Sequence, residues 1–282
     1  TALYNLKSND MQSIIRKGMA DSHEQVRAAA VGMLSALDIP ASELPATVDP
    51  VFAKGGIREQ QEVLRVLGGM SIDKTKGIFA DLLNRKAAGK LKQEVWLELS
   101  EAIEATGDEE LIQKRGSMDA TYELAAFSDA LYGGDARRGR WIFNTNSSAQ
   151  CVRCHAVRGE GGIVGPELSS IANMLTRDQL LEALVAPSKR IAPWYGFVTL
   201  TLDDGNVVNG TLLEENANEV LVKTSDAEPL RVPVGRITKR ETMPSAMPAM
   251  GTVLTKREIR DLVEFLSSMK QEVVRASEGH GE

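Results

Sequence analysis

Residues 151–155 read CVRCH, and this short segment contains both cysteines of the 282-residue chain together with one of its three histidines. Because no cysteine lies elsewhere, a disulfide between distant parts of the chain is excluded. The motif is compatible with three chemistries: covalent attachment of haem c, a dithiol redox switch, or one half of a zinc site. The surrounding sequence has to distinguish them.

A zinc site and a redox switch fit the surrounding sequence less well than haem c. Zinc needs more ligands than one such segment supplies, and the other histidines, His23 and His280, lie in a predicted helix and in the C-terminal tail. A thioredoxin-like CxxC begins a helix that follows a strand, whereas CVRCH follows a predicted helix and leads into a glycine-rich loop. Haem c requires two thiols at this spacing and an adjacent imidazole for the iron, so the sequence favours haem c.

A haem iron in an electron carrier also needs a sixth ligand, and methionine is the natural candidate in a chain with so few histidines. The segment ETMPSAMPAMG offers Met243, Met247 and Met250 just before the last predicted helix. A proline follows each of the first two, which keeps this segment out of a helix.

The first 130 or so residues show helical periodicity and no convincing alternation of a strand. Segments that begin at Ala28, Gln61 and Gln93 align at spacings of 33 and 32 residues. The small or apolar positions that recur on one face of these helices are Ala30, Val63 and Val95, and Leu34, Leu67 and Leu99. We predict a short solenoid of HEAT-like repeats, with an irregular helical bundle as the alternative.

Helix starts can be located from capping residues. Asp135 is placed to cap the helix ARRGRWIFN after the Gly133-Gly134 break. The spacing of a capping box occurs at Ser22 and Gln25, at Thr176 and Gln179, and at Thr255 and Glu258. Each of these pairs predicts the start of a helix.

Between the last two of these helices, residues 194–240 change to the alternating pattern of strands. The segment YGFVTLTLDDGNVVNGTLLEE predicts a hairpin around an Asp204-Gly205 turn, with Val198, Leu200 and Leu202 on one face. Shorter apolar runs that follow it predict three further strands. We interpret this insert as a small β-barrel.

Taken together, these segments resemble a known family. Gly134-Asp135-Ala136, CVRCH, the GPEL of 165–168, a Met-Pro loop and EIRDLVEFL are similar to class I c-type cytochromes. The order of helical repeats, CVRCH segment, strand-rich insert and SAMPAMG loop more narrowly resembles the haem-binding domain found in planctomycetes and verrucomicrobia. The resemblance covers residues 133–270 most fully and the helical repeats only loosely.

The resemblance implies a role for individual residues. The thioether bonds to haem c would form at Cys151 and Cys154, and the iron ligands would be His155 and Met247, whose Ser-Ala-Met-Pro context matches the family better than that of Met243. The carbonyl of Pro166 would accept the proton of the His155 imidazole. The resemblance also implies that Leu168 packs on the haem and that Gly139 and Phe143 meet the C-terminal helix near Leu262 and Phe265.

We therefore predict a mainly α fold. It consists of HEAT-like helical repeats followed by a class I cytochrome c fold with a small inserted β-barrel. The predicted boundaries are 1–132 for the repeats, 133–193 and 241–271 for the cytochrome domain, 194–240 for the insert and 272–282 for a disordered tail.

The predicted function is that of a monohaem c-type cytochrome, which transfers single electrons and is not itself an enzyme. The resemblance implies that its electrons come from a periplasmic dehydrogenase, either a separate redox partner or a fused domain. Two alternatives stay open: a peroxidase-like haem enzyme or ligand sensor with an open sixth position on the iron, and a scaffold in which haem is a structural staple.

Charge and hydropathy restrict partners and location. The net charge of -6 disfavours a nucleic-acid-binding protein. No apolar run approaches the roughly 18 residues of a membrane-spanning helix, so we expect no integral membrane segment. The chain begins with threonine and carries no recognisable signal, and we expect a processed or excised piece of an exported, periplasmic precursor, since haem c is attached outside the cytoplasm.

Overall fold

The computed structural model of the protein describes residues 11–37, 39–118 and 124–270. About half of the chain is helical and a five-stranded antiparallel sheet supplies most of the strands, so the fold is mixed rather than mainly α. The chain divides into two compact units, Thr1–Gly133 and Gly134–Glu282. The predicted disordered tail, 272–282, lies outside the described residues. None of the helices in the described ranges combines the length and the apolar character needed to span a bilayer.

The described part of the first unit is helical. Its helices are α1 (Met11–Met19), α2 (Glu24–Val31), α3 (Leu44–Lys54), α4 (Ile57–Gly68), α5 (Ile72–Ala87), α6 (Trp96–Thr106) and α7 (Glu109–Gly116). Helix α2 packs against α4, and α4 packs against α6. The six positions that recur in the sequence alignment are all buried, with at most 7% of each residue exposed. Four of these positions lie in α2, α4 and α6, while Leu34 and Val95 lie in the neighbouring 3-10 turns Leu34–Ala36 and Gln93–Val95.

The start of α2 differs from its prediction. Ser22 and Gln25 form no capping box, because the helix begins at Glu24 with His23 as its N-cap residue. The Asp21 carboxylate accepts the backbone N–H of His23 over 2.8 Å, and the Ser22 hydroxyl lies 3.1 Å from the His23 ring nitrogen Nδ1. The Asp21 carboxylate therefore satisfies the N–H of the N-cap residue, and the predicted bonds between Ser22 and Gln25 do not form.

The helices of the second unit are α8 (Ala136–Thr145), α9 (Cys151–Cys154), α10 (Ile171–Met174), α11 (Arg177–Val185) and α12 (Lys256–Ser267). The carboxylate of Asp135 accepts two backbone N–H groups in the first turn of α8, which confirms the predicted cap. The capping boxes of Thr176 with Gln179 and of Thr255 with Glu258 are also confirmed. Three of the predicted helix starts in this unit are therefore correct.

Helices α8 and α12 cross at very close range. A Cβ atom added to Gly139 would lie 1.9 Å from the backbone oxygen of Asp261, so only glycine fits at this crossing. The rings of Phe143 and Phe265 pack beside it, with 5.7 Å between their centroids. The backbone N–H of Asp135 donates to the Asp261 carboxylate over 2.8 Å and ties the start of α8 to α12.

The buried carboxyl of Asp261 makes the stability of this crossing dependent on pH. Burial raises its pKa above the ordinary value of 3.8, although the Asp135 N–H and the nearby Arg260 and Arg138 oppose the shift. The folded protein thus binds this proton more tightly than the unfolded chain does. The stability that the group contributes is complete below its unfolded pKa and is lost as the pH rises through the folded pKa.

We expect Asp261→Asn to remove this dependence, because an amide keeps the oxygen that accepts the Asp135 N–H and carries no titrating proton. The free energy of unfolding of the wild type should fall relative to that of the variant as the pH rises from about 3 to 7. Urea unfolding at a series of pH values measures the difference. Glu160→Gln, which removes an exposed carboxylate of the same unit, is the control. Parallel pH profiles for wild type and Asp261→Asn would contradict the prediction.

A small hairpin of β1 (Ala156–Val157) and β2 (Glu160–Gly161) precedes the insert. The strands of the insert are β3 (Gly196–Leu202), β4 (Val207–Glu215), β5 (Glu219–Lys223), β6 (Leu230–Pro233) and β7 (Ile237–Thr242). They form a single antiparallel sheet with the strand order β6-β5-β4-β3-β7. The hairpin around Asp204-Gly205 is confirmed, and the predicted face of Val198, Leu200 and Leu202 is buried. The other residues of this small core are Val208, Val220, Val222 and Val232.

The prediction of a closed β-barrel is wrong. Closure would require β6 to pair with β7, and within residues 124–270 each of these strands pairs on one side only. Strand β6 has only four residues, and a 3-10 turn, Val234–Arg236, separates it from β7. Alternating hydrophobicity gives the buried face of a sheet, but it does not determine whether two edge strands meet.

Candidate functional site

The CVRCH segment forms a single helical turn, α9, between α8 and the small β1–β2 hairpin. Cys151 and Cys154 are three positions apart, so the turn places their side chains on the same side of the helix. Both thiols are free; Cys151 is partly buried and Cys154 is exposed. Two thiols are therefore presented together from one short rigid element.

The environment of Cys151 does not favour a dithiol redox switch. Burial raises the pKa of its thiol, which keeps the sulfur protonated at neutral pH. A redox-active CxxC needs the opposite shift, because the thiolate is the attacking species. The structural context of the motif, one turn of helix without a preceding strand, points the same way.

The His155 imidazole is oriented by a backbone carbonyl. The backbone leaves the helix at this residue, and Nδ1 donates to the carbonyl oxygen of Pro166 over 2.8 Å. Because a carbonyl can only accept, Nδ1 carries the proton and Nε2 carries the lone pair. In the described part of the chain no group hydrogen-bonds Nε2. This is the arrangement of a histidine whose Nε2 binds a metal.

The loop after β2 folds back onto the CVRCH turn through its backbone. The N–H of Gly162 donates to the carbonyl of Val152 over 2.9 Å, and the N–H of Gly165 donates to the carbonyl of Cys154 over 2.8 Å. Three residues after Gly165, the buried Leu168 donates its N–H to the carbonyl of Ala156 over 2.9 Å. The loop that contains Pro166 is thereby fixed relative to the cysteines.

Gly165 is a site residue that the sequence did not reveal. A Cβ atom at this position would lie 2.6 Å from Cε1 of His155 and 2.8 Å from Nδ1, so any side chain would displace the ring. The GPEL segment was identified for its proline carbonyl and for Leu168. The sequence shows a glycine directly before the proline, but the reason for a glycine there, the closeness of the imidazole, is visible only in the structure.

The same loop exposes two apolar side chains beside the cysteines. Ile163 and Val164, which lie between Gly162 and Gly165, are 91% and 68% exposed. They form a small exposed apolar surface on a loop that backbone hydrogen bonds attach to the CVRCH turn. Together with two free thiols and an unbonded Nε2, this surface fits a covalently attached haem.

The three candidate methionines lie in different environments. Met250 is 2% exposed and belongs to the core, Met243 is 59% exposed, and Met247 is partly buried. No hydrogen bond among the described residues joins their loop to the CVRCH turn. The structure thus brings His155 and Pro166 together at the cysteines, while Met247 lies on a separate loop.

Comparison with known proteins adds no family assignment: no protein-family model matches the chain, and no curated protein matches it. In the ranges that the structure describes, no group of three or more His, Cys, Asp and Glu side chains is arranged to hold a metal ion. The interpretation of the site rests on its own geometry.

Proposed function

We propose that the second unit is a monohaem c-type cytochrome that transfers single electrons and is not itself an enzyme. The observation that carries the proposal is the His155 imidazole, whose Nδ1 donates to Pro166 and leaves Nε2 unbonded beside two free thiols on one helical turn. A zinc ligand of this kind would need further protein ligands nearby. A haem needs only the two thiols, this imidazole and one sixth ligand.

The proposed ligand set assigns a task to each residue. Cys151 and Cys154 would hold the haem through thioether bonds, and His155 and Met247 would ligate its iron. When bound, the haem supplies reversible one-electron chemistry. The Pro166 carbonyl holds the proton at Nδ1, which fixes the ring and strengthens Nε2 as a donor.

The surrounding apolar residues have a further task in this proposal. Leu168 is buried next to the site, and Ile163 and Val164 are exposed at its edge. Apolar neighbours limit the access of water to a haem and so favour the uncharged over the charged state of the centre. They would therefore set the redox potential together with the methionine.

We further propose that this unit has a class I cytochrome c fold and that the first unit is a stack of HEAT-like repeats. The consecutive packing of α2, α4 and α6 supports the repeats, and the close crossing of α8 and α12 supports the cytochrome fold. The electron donor is proposed to be a periplasmic dehydrogenase, as a partner or as a fused domain. Haem c attachment implies an exported protein.

Optical spectroscopy of the protein produced with a haem c maturation system tests the function. We expect a low-spin haem in both redox states and, in the ferric state, the weak near-infrared band of a methionine-iron bond. Met247→Ala should abolish this band and give a high-spin ferric haem. Met243→Ala is the matched control, because it removes a methionine from the same loop, and it should keep the band.

Two outcomes would contradict the assignment. An unchanged band in Met247→Ala, with loss of the band in Met243→Ala, would transfer the ligand to Met243. A wild-type ferric haem that is high-spin and binds cyanide rapidly would instead favour the haem enzyme or ligand sensor with an open sixth position.

A further inference from the structure

The loop that carries Met247 is restrained on both sides of the methionine. At its start, the backbone N–H of Met243 donates to the carbonyl of Phe197 over 3.0 Å, which extends the pairing of β7 with β3. At its end, Met250 is buried in the core of the unit. Pro244 and Pro248 have no backbone N–H, so the loop has few donors with which to hold its middle.

The middle of the loop is held by two serine hydroxyls in series. The N–H of Ser245 donates to the hydroxyl oxygen of Ser188 over 3.1 Å, a contact between residues 57 positions apart. The hydroxyl oxygen of Ser245 in turn accepts the N–H of Met247 over 3.2 Å. The backbone of Met247 is thus connected through Ser245 to Ser188.

Ser188 provides a rigid attachment point. It follows α11 in a tight turn, in which the N–H of Lys189 donates to the carbonyl of Ala186 over 3.0 Å. Helix α11 packs against α12 and against the short 3-10 helix Met250–Thr252 that follows the loop. Its apolar side is buried through Leu180, Leu181 and Leu184. A hydroxyl fixed to this element can restrain a neighbouring loop.

We propose that Ser188 is a positioning residue for Met247, acting through Ser245 to hold the thioether at the iron. The inference rests on the proposed function, because Met247 needs an accurate position only if it ligates the iron. The thioether is a neutral ligand and its bond to iron is weak, so the backbone has to supply part of the restraint. Without the serine contact, the Met247 backbone would be held less closely in the position that an iron ligand needs.

The size of the effect follows from the loss of one hydrogen bond. Such a bond contributes modestly when its partners are partly exposed to water, and its loss should increase the fraction of open loop about fivefold. A ferric haem from which methionine has departed binds imidazole from solution. The rate of imidazole binding should therefore rise about fivefold in Ser188→Ala when methionine departure limits the rate.

The experiment compares three variants of the haem-loaded protein by stopped-flow spectroscopy with imidazole. Ser188→Ala should bind imidazole about fivefold faster than the wild type. Ser188→Thr keeps a hydroxyl and should restore the wild-type rate. Ser148→Ala removes an exposed serine of the same unit outside the loop and should have no effect. A rate in Ser188→Ala equal to that of the wild type would overturn the inference.

Hydrogen exchange in the haem-free chain provides a readout that does not depend on the iron. The Ser245 and Met247 amides should exchange faster in Ser188→Ala than in the wild type, and unchanged exchange would overturn the proposed contact. Failure of the proposed function would be recognised by a different observation: the wild-type holoprotein would lack the near-infrared methionine band. If the wild type shows the band and Ser188→Ala binds imidazole at the wild-type rate, only the role of Ser188 is refuted and the proposed function stands.

Discussion

Gly139→Ala is expected to destabilise the second unit by about 3 kcal/mol, although alanine is the better helix former. The added Cβ would lie 1.9 Å from the carbonyl oxygen of Asp261 and 2.7 Å from the Cβ of Phe265. A carbonyl on a helix backbone cannot rotate away as a side chain can. Helices α8 and α12 would have to separate, and the contact between Phe143 and Phe265 would weaken with them.

Gly77→Ala is the matched control, because Gly77 lies inside α5 and a Cβ there meets no atom within 4 Å. This variant should be stabilised by up to about 1 kcal/mol, as expected for an open helical position. Urea unfolding, with hydrogen exchange resolved for α8, α12 and α5, measures both effects in the unit concerned. A Gly139→Ala variant as stable as the wild type would show that the two helices do not cross this closely in solution.

The double variant Cys151→Ala, Cys154→Ala should lose covalently bound haem completely while it keeps its helical content. Thioether bonds form only at these thiols, since the chain has no other cysteine. Both thiols are free, and neither belongs to the buried apolar core, so their removal should leave the packing of the unit intact. Acidified-acetone extraction separates the two states, because it removes non-covalent haem and leaves covalent haem on the protein.

Val152→Ala is the control for the double variant, since it trims a side chain inside the same helical turn and leaves both sulfurs. It should retain haem after extraction. Each single cysteine variant should keep one thioether bond and show a shifted absorption maximum in the reduced state. A wild-type protein that contains zinc in place of haem, and loses it in the double variant, would refute the haem assignment.

The features predicted correctly from the sequence are those that depend on neighbouring residues. The capping boxes at Thr176 and Thr255 need only a partner three positions later, and that partner is present in each case. The Asp204-Gly205 hairpin follows from a turn pair between two alternating runs. The buried positions shared by the three aligned segments were found from apolar periodicity, although Leu34 and Val95 lie in 3-10 turns beside the helices.

The features that the sequence could not reveal depend on competition or on distant residues. The capping box predicted at Ser22 is absent because the helix begins one residue later than predicted, with His23 as its N-cap residue. The prediction of a barrel failed because no local pattern in the sequence shows whether the edge strands β6 and β7 pair with each other. The contact between Ser188 and Ser245 joins residues 57 positions apart, and nothing in either segment indicates the other.

The first and last strands of the insert, β3 and β7, are antiparallel neighbours in the sheet. The start of β3 therefore lies beside the end of β7. The chain therefore enters and exits the insert at nearly the same point, with the Met243 N–H bonded to the Phe197 carbonyl at that point. Elements with adjacent termini can be exchanged or shortened without moving the segments that they join. The 92 positions that separate His155 from Met247 therefore include a long insert whose entry and exit are close together in space.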